Sequence, residues 1–84
     1  MLDVTIYTTR FCPYCVRAKA LLDSKNVRYA EIAVDTDHAQ RSIMEQRSQQ
    51  TSVPQIFIGE QHIGGCDDLH ALEAAGELDA RLAG

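Results

Sequence analysis

The stretch LDVTIYTTRFCPYCVRAKALLDSKNVRYAEIAV, residues 2–34, reads as strand, loop, helix, strand. Leu2, Val4 and Ile6 alternate with Asp3, Thr5 and Tyr7, the period of a strand. Thr8 to Cys12 is a loop. Pro13 fits the first helical position, where a missing N–H costs nothing. Cys15, Ala18 and Leu22 recur at helical spacing with Leu21 beside them, and Arg17, Lys19 and Asp23 fall elsewhere. Lys25-Asn26 ends this helix, because asparagine tolerates a left-handed cap. Residues 27–34 are β-branched and aromatic enough for a second strand. Such a strand–helix–strand unit implies a parallel first pair with a right-handed crossover.

Working outward, Asp35, Thr36 and Asp37 offer caps for a second helix over about 38–48, with Ala39, Ile43 and Met44 as its inner stripe. Gln49 to Ser52 is polar loop. After Val53-Pro54 comes a short third strand, Gln55 to Ile58. Gly59-Glu60 has glycine first, as a type II′ hairpin turn requires, so Gln61 to Ile63 should return antiparallel. Gly64-Gly65 breaks the pattern. A last helix opens at Cys66 or Asp67, uses Leu69 and Leu72, and stops near Ala75 before Gly76, with a short helical tail to follow. The order β-α-β-α-β-β-α predicts an α/β domain with a mixed four-stranded sheet and helices on its faces.

Eighty-four residues allow one domain, 1–84. A chain this short buries only roughly 60–65% of its unfolded surface. No apolar run approaches the ~20 residues of a membrane span, and the alternating N-terminus does not read as a signal peptide. The expected compartment is the reducing cytosol, with no membrane association. Twelve acidic against eight basic residues give a net charge of −4, which argues against a nucleic-acid binder. From Glu60 onward Arg81 is the single base among six acids, whereas Arg10, Arg17 and Lys19 surround the first two cysteines. Each alone reads as solvated surface charge. Together they place positive potential where an anionic thiol partner would arrive.

Three cysteines, at 12, 15 and 66, are too few and too odd for a disulfide framework. They suggest one redox pair and one further thiol. Cys12-Pro13-Tyr14-Cys15 follows a strand and opens a helix, the context in which C-x-x-C reads as redox chemistry. At the helix start, unpaired N–H groups and the macrodipole favour an anion, so Cys12 is the expected nucleophile. Cys15, one turn in on the apolar stripe, is the expected resolving thiol. The competing reading is half of a zinc site, completed by Cys66 with His62 or His70; His62 and Cys66 are separated by a turn and two glycines, which leaves closure undirected. His38 and His70 singly read as surface residues, and Cys66 alone as a small half-buried one.

C-P-Y-C at 12–15, S-V-P-Q-I-F-I at 52–58 and H-I-G-G-C-D-D-L at 62–69, in this order and spacing, make the whole chain closely resemble the small dithiol bacterial glutaredoxins. The resemblance implies a thioredoxin-like fold and a cis Val53–Pro54 bond. It implies glutathione as co-substrate, with no tightly bound cofactor and no metal. Tyr14, Ser52, Val53 and Pro54 would then hold the tripeptide's centre, with Val53 pairing to its backbone in strand fashion. Gly65, Cys66 and Asp67 would hold the glutamyl end, where N–H groups at a helix start suit a carboxylate and Asp67 suits an ammonium. Asp67 also reads as a simple helix cap, and Gly64-Gly65 as a flexible turn. Many relatives carry a lysine shortly before the first cysteine for the glycyl carboxylate. Here Thr8-Thr9 stand there, which leaves Arg10, Arg41 or Arg47 for that part; Gln50 replaces a base found in some relatives, and Ser52 replaces the usual threonine.

The expected activity is glutathione-dependent reduction of protein disulfides and of glutathione mixed disulfides by a monomer. By resemblance alone, ribonucleotide reductase and other disulfide-forming reductases join the candidate partners. Two rival readings are a thioredoxin-like electron donor reduced directly by a flavin reductase, and a carrier of a [2Fe–2S] cluster bridged through Cys12 and two glutathiones. The Gly64-Gly65-Cys66-Asp67 segment argues against the first, and Pro13 with Cys15 against the second.

Overall fold

The structure, a computed structural model, describes residues 2–84. It comprises β1 (Val4–Thr8), α1 (Pro13–Ser24), β2 (Tyr29–Ala33), α2 (His38–Ser48), β3 (Gln55–Ile58), β4 (Gln61–Gly64), α3 (Cys66–Ala74) and α4 (Leu78–Ala83). The sheet order is β2-β1-β3-β4. β1 runs parallel to β2, with Val4 opposite Tyr29, and antiparallel to β3, with Val4 opposite Ile58. β3 and β4 form the antiparallel hairpin, and Gly59 takes φ 58 at its turn. The fold is the α/β architecture read from the sequence and the thioredoxin-like one that the resemblance implied, with α4 as the helical tail.

The alternation along the central strands sorts two cores. Val4, Ile6, Ile56 and Ile58 pack with Ala18 and Leu22 of α1, Leu69 of α3, and Leu78 and Leu82 of α4. Tyr7 and Phe57 point to the other face, where they meet Val34 and Met44 of α2. β1 is thus covered on both faces, although its alternation alone describes a half-buried strand. Each fully buried Leu or Ile contributes roughly 1.5–3 kcal/mol. Lys25 pairs with Glu73 at 2.8 Å and Asp79 at 2.9 Å, linking α1 to α3 and α4. Ion pairs with such exposed carboxylates are weak, so the leucines hold these helices down.

Local signals behave as read. Pro13 begins α1, Asn26 takes φ 57 just beyond its end, and the Asp37 carboxylate accepts the Gln40 N–H at 3.1 Å as the cap of α2. Three expectations change. β1 begins at Val4, leaving Leu2 exposed, and β2 spans only Tyr29–Ala33. Ala39 and Ile43 face solvent, Ile43 at 41% exposure, while Met44 and Ser48 are buried. Helix α2 is rotated by one residue because Met44, Arg47 and Ser48 share a face. Arg47 donates to the Tyr7 hydroxyl at 2.9 Å and its guanidinium lies 3.9 Å above the Phe57 ring. This contact with the sheet selects that face. Gln49 closes α2 in the left-handed region at φ 59, a role its residue type does not announce.

Candidate active site

The β1–α1 loop delivers Cys12 to the cap position of α1, with extended backbone at φ −124. Its Sγ accepts the Cys15 backbone N–H at 3.1 Å and lies 4.0 Å from the Val53 carbonyl oxygen. The sulfur therefore meets a helix-start donor from its own segment and the entrance of β3 from the opposite one. The Val53–Pro54 bond is cis, as the resemblance implied.

Cys15 is 1% exposed. Burial is the main cause that pushes its thiol up to about 12, and its hydrogen bond to Cys12 adds to this; the Thr9 backbone and the Lys19 charge pull the other way. It stays protonated throughout the neutral range. A thiol raised on folding contributes stability that is complete below its ordinary value of 9.0 and is lost as pH climbs through about 12. Stability is therefore expected to fall between those limits. Urea unfolding at stepped pH should show the decline, and Cys15→Ala should flatten it. A slope equal in the variant would contradict the assignment.

Tyr14, Gln50, Ser52, Val53, Pro54, Gly65, Cys66, Asp67 and Asp68 line one groove of about 220 Å³. The residues expected at the tripeptide's centre and glutamyl end, Tyr14, Ser52, Val53, Pro54, Gly65, Cys66 and Asp67, all lie here, brought together from α1, the α2–β3 loop and the start of α3. Gln50 was noted only for lacking a charge, and Asp68 was missed. Its signal was available: an acid at the third position of a helix, reaching back. Asp68 Oδ2 accepts the Gly65 N–H at 2.9 Å.

Cys66 is 3% exposed and belongs to the apolar core, not half-buried as expected. Burial pushes its thiol up; Arg17 opposes this, while Asp67 and Cys12 reinforce it. With its side chain inside, Cys66 presents backbone to the groove. His70 is partly buried rather than a free surface group, its Nδ1 lying 2.9 Å from the Cys66 carbonyl oxygen and 3.4 Å from Sγ. Among the described residues, no three His, Cys, Asp or Glu side chains gather as a metal site requires.

The expected positive field is smaller than its residue list. Arg10 pairs with Asp35 at 3.3 Å and Lys19 with Glu31 at 2.9 Å. Of the three bases, Arg17 alone has no carboxylate partner among the described residues. None of Arg10, Arg41 and Arg47 lines the groove. Arg41 reaches the loop that carries Ser52, donating to the Thr51 carbonyl at 2.9 Å.

The glutaredoxin family model matches residues 4–63. The chain is 58% identical over 82 residues to glutaredoxin 3 of Escherichia coli strain K12, covering 98% of this chain and 99% of that protein. The solution structure of glutaredoxin from Brucella melitensis matches with a TM-score of 0.85 at 52% identity, over 98% of this chain and 89% of that one. The crystal structure of a buckwheat glutaredoxin–glutathione complex matches with a TM-score of 0.87 at 34% identity, over 95% and 76%.

Proposed function

The chain belongs to the glutaredoxin family and is a thiol–disulfide oxidoreductase, and from that premise we propose that it draws its electrons from glutathione and releases glutathione from mixed disulfides. The observation that carries this is the groove. It runs past Val53, whose carbonyl oxygen lies 4.0 Å from the Cys12 sulfur, and ends on the first turn of α3. That layout fits a short extended peptide with a thiol at its middle and a carboxylate at one end. The buckwheat relative, solved as a glutathione complex, supports the same occupant.

Cys12 is the nucleophile. Its thiolate, held by the Cys15 N–H, attacks the glutathionyl sulfur of a mixed disulfide; the Cys12–glutathione bond forms and the protein thiolate leaves. A free glutathione thiolate then attacks the same sulfur, gives oxidised glutathione and restores Cys12. For protein disulfides, the Cys12 thiolate attacks one substrate sulfur, forming a Cys12–substrate disulfide and releasing the other sulfur as a thiolate. Cys15 then gives up its proton and its sulfur attacks Cys12, expelling the second substrate thiolate, and the two thiolates take up protons. Two glutathiones then reduce the Cys12–Cys15 disulfide. Val53 pairs with the tripeptide backbone, the N–H groups of the first turn of α3 take the glutamyl carboxylate, and Asp67 takes the adjacent ammonium. Tyr14, Ser52 and Pro54 form the walls. The same reading takes residues 1–84 as one domain of a monomer in a reducing cytosol, acting on protein disulfides and glutathionylated proteins. No helix among the described residues is long and apolar enough to cross a membrane.

The test is a coupled assay with glutathione, glutathione reductase, NADPH and a small mixed disulfide. NADPH oxidation that depends on both glutathione and the chain is expected. Full turnover with thioredoxin reductase in place of that system would overturn the proposal.

A further inference from the structure

We propose that Gln55, oriented by His62, is a positioning residue that aims the Val53 N–H at the bound tripeptide and so sets affinity for the glutathionyl part of the substrate; this rests on the groove being the glutathione site.

Gln55 is a polar residue inside an apolar strand, and it is 1% exposed. A buried amide persists only when it is hydrogen-bonded. Its Nε2 donates to the Ser52 carbonyl at 3.0 Å and to Gln50 Oε1 at 3.1 Å, with the Ser52 hydroxyl at 3.4 Å. These partners lie on the α2–β3 loop, and Gln50 and Ser52 both line the groove. That loop carries no regular secondary structure. Ser48 bonds the backbone of Gln50, and Arg41 the carbonyl of Thr51. The next carbonyl, that of Ser52, is the one taken by Gln55.

Peptide planarity turns this bond into a directional device. The Ser52–Val53 unit is a trans peptide, so its C=O and the Val53 N–H point opposite ways. Pulling the carbonyl onto the buried amide aims the N–H away from that amide. Strand-like pairing with a ligand requires that N–H to be presented.

His62 completes the arrangement from β4. Its Nε2 lies 2.7 Å from Gln55 Oε1, leaving the Gln55 NH2 turned toward the loop. The His62 ring packs on Phe57 with centroids 4.9 Å apart, and Phe57 is in turn capped by Arg47. An immobilised ring thus chooses which end of the Gln55 amide faces Ser52.

Two variants test this. Gln55→Met keeps the volume and removes the bonds; His62→Phe keeps the ring packing and removes Nε2. With a glutathionylated peptide as substrate, KM should rise about 5- to 10-fold in Gln55→Met and about 2- to 3-fold in His62→Phe, with kcat within about 2-fold. Alkylation of Cys12 by iodoacetamide should keep its rate in both. An unchanged KM in both variants overturns the proposal, as does a joint change of KM, kcat and alkylation rate, which would mark general loosening. Wild-type protein that treats the glutathionylated peptide no better than the same peptide disulfide-linked to cysteamine would instead overturn the glutathione groove itself, and this proposal with it.

Discussion

Cys12→Ser is expected to abolish release of glutathione from mixed disulfides, whereas Cys15→Ser should retain much of that activity. The asymmetry follows from the two sulfurs' surroundings. Cys12 Sγ is part-exposed at the head of α1, receives a backbone N–H at 3.1 Å and borders the groove. A serine there supplies a hydroxyl that is essentially un-ionised at neutral pH, so the loss should reach about three orders of magnitude or more. Cys15 is buried and protonated, and a one-thiol cycle never calls on it. Reduction of a protein disulfide is different, because there the second thiol must expel the substrate. Cys15→Ser should therefore stall that reaction as a trapped mixed disulfide, visible by mass spectrometry. Equal loss of glutathione release in the two variants would reject the role assignment.

The largest stability effect outside the core should come from Gly64→Ala. Gly64 sits at φ 117, a region that side chains rarely enter, and a Cβ there would lie 2.8 Å from Asp68 Cγ and against Oδ2 as well. Asp68 cannot retreat freely, because its carboxylate holds the Gly65 N–H at 2.9 Å. Backbone strain and steric conflict together should cost about 2–4 kcal/mol, roughly 10–25 °C in Tm for a domain of this size. Gly76 is the control: φ 73, with nothing within 4 Å of an added Cβ. Gly76→Ala carries the backbone cost alone, about 1 kcal/mol. Equal losses in thermal unfolding would remove the Asp68 contact from the explanation. Because Gly64 leads directly into Gly65–Asp67, the larger loss should also weaken the groove.

Both effects start from sequence features, but they were legible to different degrees. C-x-x-C between a strand and a helix announced the reactive pair, since strand period, Pro13 and the Cys15, Ala18, Leu22 stripe are local patterns. Gly64-Gly65 announced only a break. The reason for glycine at 64 is a contact with a side chain of the next helix. Asp68 and Gln55 escaped the sequence reading for a related reason. One looked like a second acid in a helix start, the other like a lapse in an apolar strand.

What the sequence by itself determined was the order of elements, their caps, and the place of Cys12 at a helix start. These depend on interactions within about four residues, through backbone geometry and periodicity. The tertiary structure alone decided which face of α2 turns inward, that Cys66 is buried, that Arg10 and Lys19 are paired, and that Gln55 reaches Ser52 while accepting from His62. The inward face of α2, and the partners of Arg10 and Lys19, come from residues 12 to 40 positions away, and Cys66 is buried by side chains from other elements. The Gln55 links span only a few positions, yet they exist because the α2–β3 loop and the β3–β4 hairpin fold back on one strand. Which polar groups meet is set by that assembly and not by any short-range rule.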